Sequence, residues 1–248
     1  MGENSNLTNL FLKANVDDLR QEFSTFLTKN KKSYKKIDEF AEHMKAYRMS
    51  KEFVEATNRQ NLDYTVELND LADLTDKEYN MRLGLKASKF IDIDSLSIAP
   101  TSRIHQLSKG NARKTSQTLP ASKDWRALGA DTDVKDQRNC GSCYAFASVS
   151  AIESALIIAG NATNSIDLSE QQLVDCSKDH FNYGCEGGIM DSCFDYLFRH
   201  SLMTEDSYPY TGKESGSCLF NSTFGVAKVT SYTTFRVTNP DSLLAYVN

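Results

Sequence analysis

The stretch QRNCGSCYAF, residues 137–146, places a cysteine at the start of a predicted helix. Apolar residues repeat at helical spacing behind Cys143, at Ala145, Val149, Ile152, Leu156 and Ala159. Most of the opposite face is small or apolar as well, and Gly160 with Asn161 forms a stop, so the pattern predicts a central buried helix. Cys143 then lies in the first turn, where the helix dipole and free backbone N–H groups favour the reactive thiolate.

Gly141 and Gln137, which both precede this cysteine, are suited to an acyl-transfer reaction. Gly141 has no side chain, so the backbone there can approach a substrate closely. Gln137 lies six residues before Cys143 and carries an amide that can donate to an oxyanion. The backbone N–H of Cys143 is the second donor. The stretch therefore predicts a nucleophile with its own oxyanion-stabilising donors.

Other chemistry for the Cys140–Cys143 pair is less consistent with the sequence. A zinc site would need a second close cysteine pair, and the remaining cysteines, at 176, 185, 193 and 218, do not supply one. A redox pair is expected near a βαβ pattern, and none precedes it. We therefore predict neither a metal nor another cofactor. A thiol redox protein stays as an alternative, which would join Cys140 to Cys143.

Composition limits the partners of the chain. It has 248 residues, 40% of them hydrophobic, and a net charge of −5. The hydrophobic content supports a packed core, and the negative charge argues against a nucleic-acid partner. No apolar run approaches the ~20 residues that cross a bilayer. We therefore expect a globular protein without a membrane span.

Three zones follow one another along the chain. Residues 17–83 are charged and helical in pattern. One helical stripe there is apolar: Phe40, Met44, Tyr47 and Val54. Residues 84–118 are rich in Ser, Lys, Thr and Asn without a sustained period, which is typical of a linker or extended segment. Residues 119–248 hold the only Trp, all six Cys and most of the Gly.

Charge divides in a similar way. Residues 1–118 hold 19 Lys/Arg and 17 Asp/Glu, a net of +2, whereas residues 119–248 hold 9 and 16, a net of −7. Opposite signs would help the first part to dock on the second. The alternative is that so small a positive charge has no role in docking.

Several motifs of the third zone resemble one family when they are taken together. Residues 140–144, CGSCY, match the C-G-[SA]-C-[WY] signature of papain-like cysteine peptidases. The surrounding LPASKDWRALGADTDVKDQRNCGSCYAFA, at 119–147, resembles the start of a mature papain-like enzyme. LSEQQLVDCS (168–177), GCEGGIMDSCFDYL (184–197) and YPY (208–210) resemble the blocks that follow in cathepsin L-like members.

The first zone resembles the inhibitory prosegment of the same family. The family's helix motif is E-x3-R-x3-F-x2-N-x3-I-x3-N, and the positions in register here are Glu39, His43, Tyr47, Ser50, Val54 and Asn58. The family's N-x-F-x-D element is matched by Asn69, Leu71 and Asp73. His43 therefore stands where the motif has Arg.

The resemblance implies an α+β fold with three parts. Residues 17–83 would be the helical inhibitory prosegment, and residues 84–118 a linker that spans the cleft. Residues 119–248 would be the mainly α-helical first lobe of a papain-like peptidase domain. The chain would be a monomer whose own prosegment, residues 17–117, occupies the cleft in place of a peptide substrate.

The resemblance also assigns roles to residues of the cleft. Cys143 would be the nucleophile and Gln137 the oxyanion donor, with Tyr144 replacing the usual Trp. Gly187 and Gly188 would line the cleft and hydrogen-bond an extended peptide through their backbones.

Two further positions and the cysteines follow from the same resemblance. Ile189 and Met190 fall where family members form part of the pocket for the second residue before the scissile bond, and a plain core role stays open for both. The family pattern pairs Cys140 with Cys185 and Cys176 with Cys218. Cys193 is left over, and its amphipathic surroundings predict a buried free thiol.

None of the motifs described above contains the histidine that would act as the catalytic base. The family places its base His and orienting Asn about 130–150 residues beyond the nucleophile, at about residue 275 or later. His180 and His200 lack the family's surrounding motif, so we expect exposed or capping histidines. The second, β-rich lobe would be missing, and we predict negligible peptidase activity for this chain alone.

Two functions therefore compete. The first is a papain-like cysteine endopeptidase zymogen, incomplete in this chain. The second is a non-catalytic regulator that inhibits related peptidases through its prosegment. The N-terminus lacks the pattern of a secretory signal, yet the cysteines and the sequons at Asn6, Asn161 and Asn221 are typical of a secreted or lysosome-like glycoprotein. The alternative is that the sequons occur by chance.

Overall fold

The computed structural model describes residues 17–85, 120 and 122–232. The chain divides into two compact units, Met1–Asn80 and Met81–Asn248. Residues 86–118 of the predicted linker lie outside the described part. None of the described helices is long and apolar enough to cross a membrane.

The first unit is helical. Residues 17–29 form α1, Ile37–Asn58 form α2, and Asp76–Arg82 form α3, which begins in this unit and ends in the next. Phe23 of α1 is fully buried at the centre of an aromatic cluster. Four rings surround it at centroid distances of 5.2–6.4 Å: Phe26, Tyr34, Phe40 and Tyr47.

The predicted apolar stripe of α2 packs against this cluster over most of its length. Phe40, Met44 and Tyr47 belong to the hydrophobic core of the unit, whereas Val54 is only partly buried and lies outside it. Near its end, α2 instead contacts the chain that follows the helix. There the side chain of Asn58 bonds both the N–H and the carbonyl of Val66.

A buried polar group in the first unit contains two motif residues. Asp73 is fully buried and accepts hydrogen bonds from Lys32 and Tyr34. His43 bonds the Asp73 carbonyl through Nδ1 at 2.8 Å, and its ring stacks on Tyr34 at 3.9 Å. Its Nε2 lies 3.5 Å from a carboxylate oxygen of Glu78. The imidazole thus fills the place of the motif Arg within a hydrogen-bonded cluster.

After the end of α3, the described part of the second unit is built on three helices. They are α4 (Cys143–Ile158), α5 (Glu170–Cys176) and α6 (Met190–Arg199). Helix α4 packs against both of the others. The side chain of Ser169 caps α5 by accepting from the N–H of Gln172, which is the bond expected of a serine N-cap.

The strands of the described part are short. Leu202–Met203 form β1 and Gly225–Ala227 form β2, which pair antiparallel. Single-turn 3₁₀ segments lie at Arg126–Leu128, Lys178–His180, Gly184–Glu186 and Ser222–Phe224.

Helix α4 is less buried than its apolar sequence predicts. Tyr144, Ala145 and Val149 are fully buried, but Ile158 is 53% exposed. Ile152 and Leu156 still pack against the core while only partly buried, whereas Ile158 lies outside it. Glu153 is the opposite case, because its side chain is almost fully buried in an otherwise apolar helix.

Candidate active site

Cys143 is the first residue of α4, as the sequence predicts, and it is a partly exposed free thiol. The turn before it is fixed by a disulfide between Cys140 and Cys185. The N–H of Gly141 donates to the carbonyl of Cys185 at 2.9 Å. These bonds hold the Gly184–Glu186 turn beside the thiol. Cys176 and Cys218 form the second disulfide, so both pairs are those that the resemblance implies.

The amide of Gln137 is held on the same turn. Its Nε2 donates to the carbonyl of Cys140 at 2.8 Å and to the carbonyl of Arg82 at 2.8 Å. The amide therefore already binds a peptide carbonyl from elsewhere in the unit.

Tyr210 supports this turn from far along the chain. Its hydroxyl donates to the carbonyl of Gln137 at 2.7 Å and lies 2.6 Å from Oγ of Ser142. Burial raises its pKa, so the hydroxyl keeps its proton. The sequence marked Tyr210 only as part of a family block, and a tyrosine 73 residues from Gln137 offers no local signal for this contact.

Of the two predicted cleft glycines, Gly188 contacts the same segment of chain as Gln137, whereas the carbonyl of Gly187 accepts from the N–H of Tyr183 at 2.8 Å. The N–H of Gly188 donates to the carbonyl of Gly84 at 2.8 Å, and Leu85 forms a parallel bridge with Gly188. A Cβ on Gly84 would collide with the carbonyl of Gly141. Arg82 ends α3, and residues 83–85 thus run past Gly141 and Gly188, where only glycine fits at 84.

Asn182 is a site residue that the sequence did not single out. It is 1% exposed, and its Oδ1 accepts from the N–H of Ile189 at 2.9 Å. Its Nδ2 donates to Oγ of Ser177 at 2.8 Å and to Sγ of Cys193 at 3.3 Å. A Cβ on Gly188 would collide with the same Oδ1. The amide therefore sets the position of the backbone at 188–189.

Cys193 is a free and fully buried thiol, as the sequence predicts. Burial raises its pKa to about 12, although hydrogen bonds from Ser148 and Asn182 act in the other direction. Cys193 is therefore a protonated acceptor in the core, chemically unlike Cys143.

Ile189 and Met190 lie where the chain enters α6. Ile189 is the N-cap residue in extended conformation and is partly buried, and Met190 is 36% exposed. Neither belongs to the hydrophobic core of the unit. Tyr144, in the place of the family Trp, is fully buried and donates to the carbonyl of Gly184 at 3.0 Å.

The two histidines that follow Cys143 both contact Tyr196. The ring of His200 stacks on Tyr196 at 4.5 Å, and its Nδ1 lies 3.2 Å from the Tyr196 carbonyl at the end of α6. His180 meets the same ring edge-on at 5.9 Å, and burial lowers its pKa. His200 also meets the ring of Phe220 at 5.3 Å, so it is a capping histidine, and none of these ring contacts is with Cys143.

A buried ionic cluster lies behind the Gln137 turn. Nζ of Lys135 contacts Glu153 at 3.2 Å, Asp167 at 2.7 Å and Glu170 at 2.8 Å. Burial raises the pKa of Glu170 to about 7, even though Lys135 lowers it. Burial also opposes the charge of Lys135, but its hydrogen bonds to Asp167 and Glu170 raise its pKa. The cluster connects α4 and α5 to the loop that carries Gln137.

Comparison with known proteins identifies the protein family of the chain. Residues 119–248 match the papain family of cysteine proteases, and residues 23–79 match the cathepsin propeptide inhibitor domain. The chain therefore belongs to the papain family of cysteine proteases, and it carries a cathepsin-type propeptide domain.

Individual relatives are of the cathepsin type. The chain is 38% identical over 202 residues to pro-cathepsin H of Medicago truncatula, an alignment that covers 81% of this chain and 53% of that protein. It is 40% identical over 171 residues to a cathepsin L-like proteinase of Fasciola hepatica, which covers 69% of this chain and 48% of that one. The chain thus spans about half the length of these curated relatives.

A solved zymogen shares the fold. The structure of digestive procathepsin L 3 from the larval midgut of Tenebrio molitor superposes with a TM-score of 0.74 at 27% identity. The superposition covers 92% of this chain and 70% of that one. The described part of the chain therefore has a procathepsin fold.

Proposed function

We propose that this chain is the precursor part of a cysteine endopeptidase, with the prosegment at 17–83, a cleft-spanning linker at 84–118 and the peptidase domain from 119. The thiolate of Cys143 would attack the carbonyl carbon of a peptide bond and form a C–S bond. Gln137 Nε2 and the Cys143 N–H would stabilise the oxyanion. The C–N bond then breaks, the amine leaves with a proton from the base, and water hydrolyses the thioester.

The observation that carries this proposal is that Gln137 and Gly188 already donate hydrogen bonds to another part of the chain. Both bind carbonyls at the end of α3 and just beyond it: Nε2 of Gln137 binds that of Arg82, and the backbone N–H of Gly188 binds that of Gly84. A peptide substrate would use the same donors, with Gly187 and Gly188 as its backbone contacts and Ile189 and Met190 beside a side-chain pocket. The segment would therefore block the cleft, which supports autoinhibition by the chain's own prosegment.

The base is assigned outside the described residues. His180 and His200 are engaged with Tyr196, so neither is positioned to take a proton from Cys143. We place the base His and its Asn in the second, β-rich lobe of the papain fold. This chain alone would then form a thioester only slowly and show negligible turnover.

The cellular setting is part of the proposal. Two disulfides and exposed sequons at Asn161 and Asn221 support passage through an oxidising compartment, and hence a secreted or lysosome-like glycoprotein. Because prosegment and peptidase domain lie on one chain, we propose that the zymogen is a monomer. Loss of mass on treatment of the native protein with an N-glycosidase would test the first point, and light scattering the second.

The decisive test compares labelling of Cys143 by a peptide epoxide and by iodoacetamide. In the wild-type chain we expect peptide labelling to be slow, because residues 82–85 cover the cleft. Gly84→Ala would collide with Gly141, displace the segment and speed peptide labelling at least tenfold. Leu83→Ala is the control, since its side chain is 58% exposed.

Two results would count against the proposal. Peptide labelling no faster than iodoacetamide in the Gly84→Ala chain would mean that no functional cleft exists. Inhibition of a related peptidase in trans by the wild-type chain, together with that result, would favour the regulator instead.

A further inference from the structure

We propose that Tyr210 is a positioning residue, which holds the two oxyanion donors of the candidate site, the Gln137 amide and the Cys143 N–H, in one geometry. This inference rests on the proposed function, because oxyanion donors matter only if Cys143 attacks a carbonyl carbon. It goes further by assigning the arrangement of both donors to a side chain that lies 68 residues beyond Ser142.

The hydroxyl group of Tyr210 contacts both sides of the turn that precedes Cys143. It donates to the carbonyl of Gln137 at 2.7 Å, and its oxygen lies 2.6 Å from Oγ of Ser142. A phenol has one proton to donate, so the proton in the second hydrogen bond belongs to Ser142. The two hydrogen bonds therefore run in one direction, from Ser142 to Tyr210 and from Tyr210 to Gln137.

Each end of this pair of hydrogen bonds lies next to one oxyanion donor. Gln137 itself carries the amide, whose Nε2 also donates to the carbonyl of Cys140 at 2.8 Å. The peptide bond that follows Ser142 carries the N–H of Cys143. Because Tyr210 joins the backbone of the first residue to the side chain of the second, it helps to set the distance between the two donors.

The side chain of Ser142 does not play the usual part of a serine at this place. Ser142 is the N-cap residue of α4 and is fully buried, yet its side chain makes no capping hydrogen bond. An N-cap serine ordinarily accepts from a backbone N–H of the first helical turn. Since its Oγ faces Tyr210 instead, Ser142 does not compete for the N–H groups at the helix start, where Cys143 lies.

Tyr210 is itself held in place by its ring and its backbone. The ring meets Phe146 of α4 edge-on at 4.9 Å, and the backbone N–H donates to Oε1 of Glu205 at 2.7 Å. Burial raises the pKa of the phenol, so the hydroxyl remains a donor to Gln137 at neutral pH. These contacts do not use residues 83–85, so they stay in place when a peptide displaces that segment.

The test uses two probes built on the same peptide. The first ends in an aldehyde. The thiolate of Cys143 adds to its carbon, the C=O π bond breaks, and the oxygen meets the two donors before it takes a proton from water. The second carries a methyl disulfide in place of the aldehyde. The thiolate attacks the peptide-side sulfur and methanethiolate leaves, so no oxyanion forms.

Both reactions are followed by mass spectrometry in the full Gly84→Ala chain, whose cleft should be open. The rate of disulfide exchange is measured directly, and the dissociation constant of the aldehyde is obtained from how far it slows that exchange. Both probes use the same cleft, so any remaining competition from residues 83–85 affects them alike. A difference between the two probes therefore reports on the oxyanion donors.

Tyr210→Phe should weaken aldehyde binding about tenfold and change the disulfide rate by no more than about twofold. Outright removal of an oxyanion donor costs about 100-fold or more, and this substitution only displaces one. Ser142→Ala removes the hydrogen bond to the Tyr210 oxygen and should act in the same direction to a smaller extent. It carries the test if the Tyr210→Phe chain does not fold.

Tyr208→Phe is the matched control. It removes another buried tyrosine hydroxyl of the same unit, one that donates to Oδ2 of Asp175 at 3.0 Å and accepts from the N–H of Leu219 at 3.0 Å. This change should lower the thermal stability of the chain and leave the comparison between aldehyde and disulfide unchanged.

Unchanged aldehyde binding in the Tyr210→Phe chain, or an equal loss for both probes, would overturn the inference and leave the proposed function in place. A selective loss of aldehyde binding in the Tyr208→Phe chain would also overturn it, since any buried hydroxyl would then have the same effect. If neither probe engages Cys143 better than a simple thiol, no cleft exists, and the proposed function fails together with the inference.

Discussion

Oδ1 of Asn182 accepts the backbone N–H of Ile189 at 2.9 Å, in a core position where the asparagine is 1% exposed. The bond connects a loop between two disulfide cysteines to the residue that opens α6. Because Gly188 packs against the same oxygen, the bond also sets the backbone that donates to Gly84. A single buried amide thus links the core to the candidate cleft.

Replacement of Asn182 should therefore loosen the cleft as well as the core. Asn182→Ala leaves the N–H of Ile189 without its acceptor, and we expect the free energy of unfolding to fall by about 1–3 kcal/mol. Hydrogen exchange at Gly188 and Ile189 should speed up in the native state. Asn182→Asp keeps the acceptor and should retain part of this protection.

The control for Asn182 is Asn164→Ala, at an exposed position of the same unit. It should change neither stability nor exchange. Unchanged exchange at Gly188 in the Asn182→Ala chain would show that the amide supports only the core.

The two free cysteines should differ in reactivity. Cys143 is partly exposed at a helix N-terminus, whereas Cys193 is fully buried with a pKa raised to about 12. Iodoacetamide at pH 8 should label Cys143 in the folded chain and leave Cys193 unmodified. Peptide mapping by mass spectrometry distinguishes the two.

Unfolding in guanidinium without reductant is the control, because both thiols should then react while the disulfides stay intact. Rapid native labelling of Cys193 would mean that the core around Asn182 opens readily.

Glu170 should make stability depend on pH. Its pKa rises from an ordinary 4.5 to about 7 on folding, mainly through burial, so the folded chain holds this proton more tightly than the unfolded chain. The stabilisation is complete below about pH 4.5 and is lost as the pH rises to about 7. Glu170→Gln mimics the protonated form and should lose less stability across this window.

Thermal unfolding of both chains at pH 5 and pH 7 measures the difference. Glu186→Gln, an exposed change in the same unit, should follow the wild type. A wild-type chain that gains stability relative to Glu170→Gln as pH rises would contradict the burial argument, and would mean that Lys135 dominates the pair.

The stability of the first unit should depend on Phe23. Phe23→Ala removes a fully buried ring that packs on four others, and core truncations of this kind cost about 3–5 kcal/mol. We expect α1 and α2 to lose protection in hydrogen exchange. Phe53→Ala, at a side chain that is 64% exposed, should have little effect. Equal destabilisation by both changes would show that Phe23 does not organise this core.

Local sequence determined much of this protein. The apolar repeat after Cys143 was enough to place the cysteine in the first turn of α4, since the spacing of residues along a helix is a property of the chain itself. The same reasoning found most of the stripe that α2 buries. The disulfide pairs and the cleft residues came from a family resemblance, because spacing alone leaves the pairing of cysteines open.

Tertiary structure decided what surrounds those residues. Tyr210 under Gln137, Asn182 under Ile189 and Arg82 against Asp136 join positions 7 to 73 residues apart. The buried side chain of Glu153 likewise has a partner in Lys135 from a preceding loop. Such contacts carry no periodic signal, because they arise only when loops of irregular backbone pack and each buried polar group must find a partner.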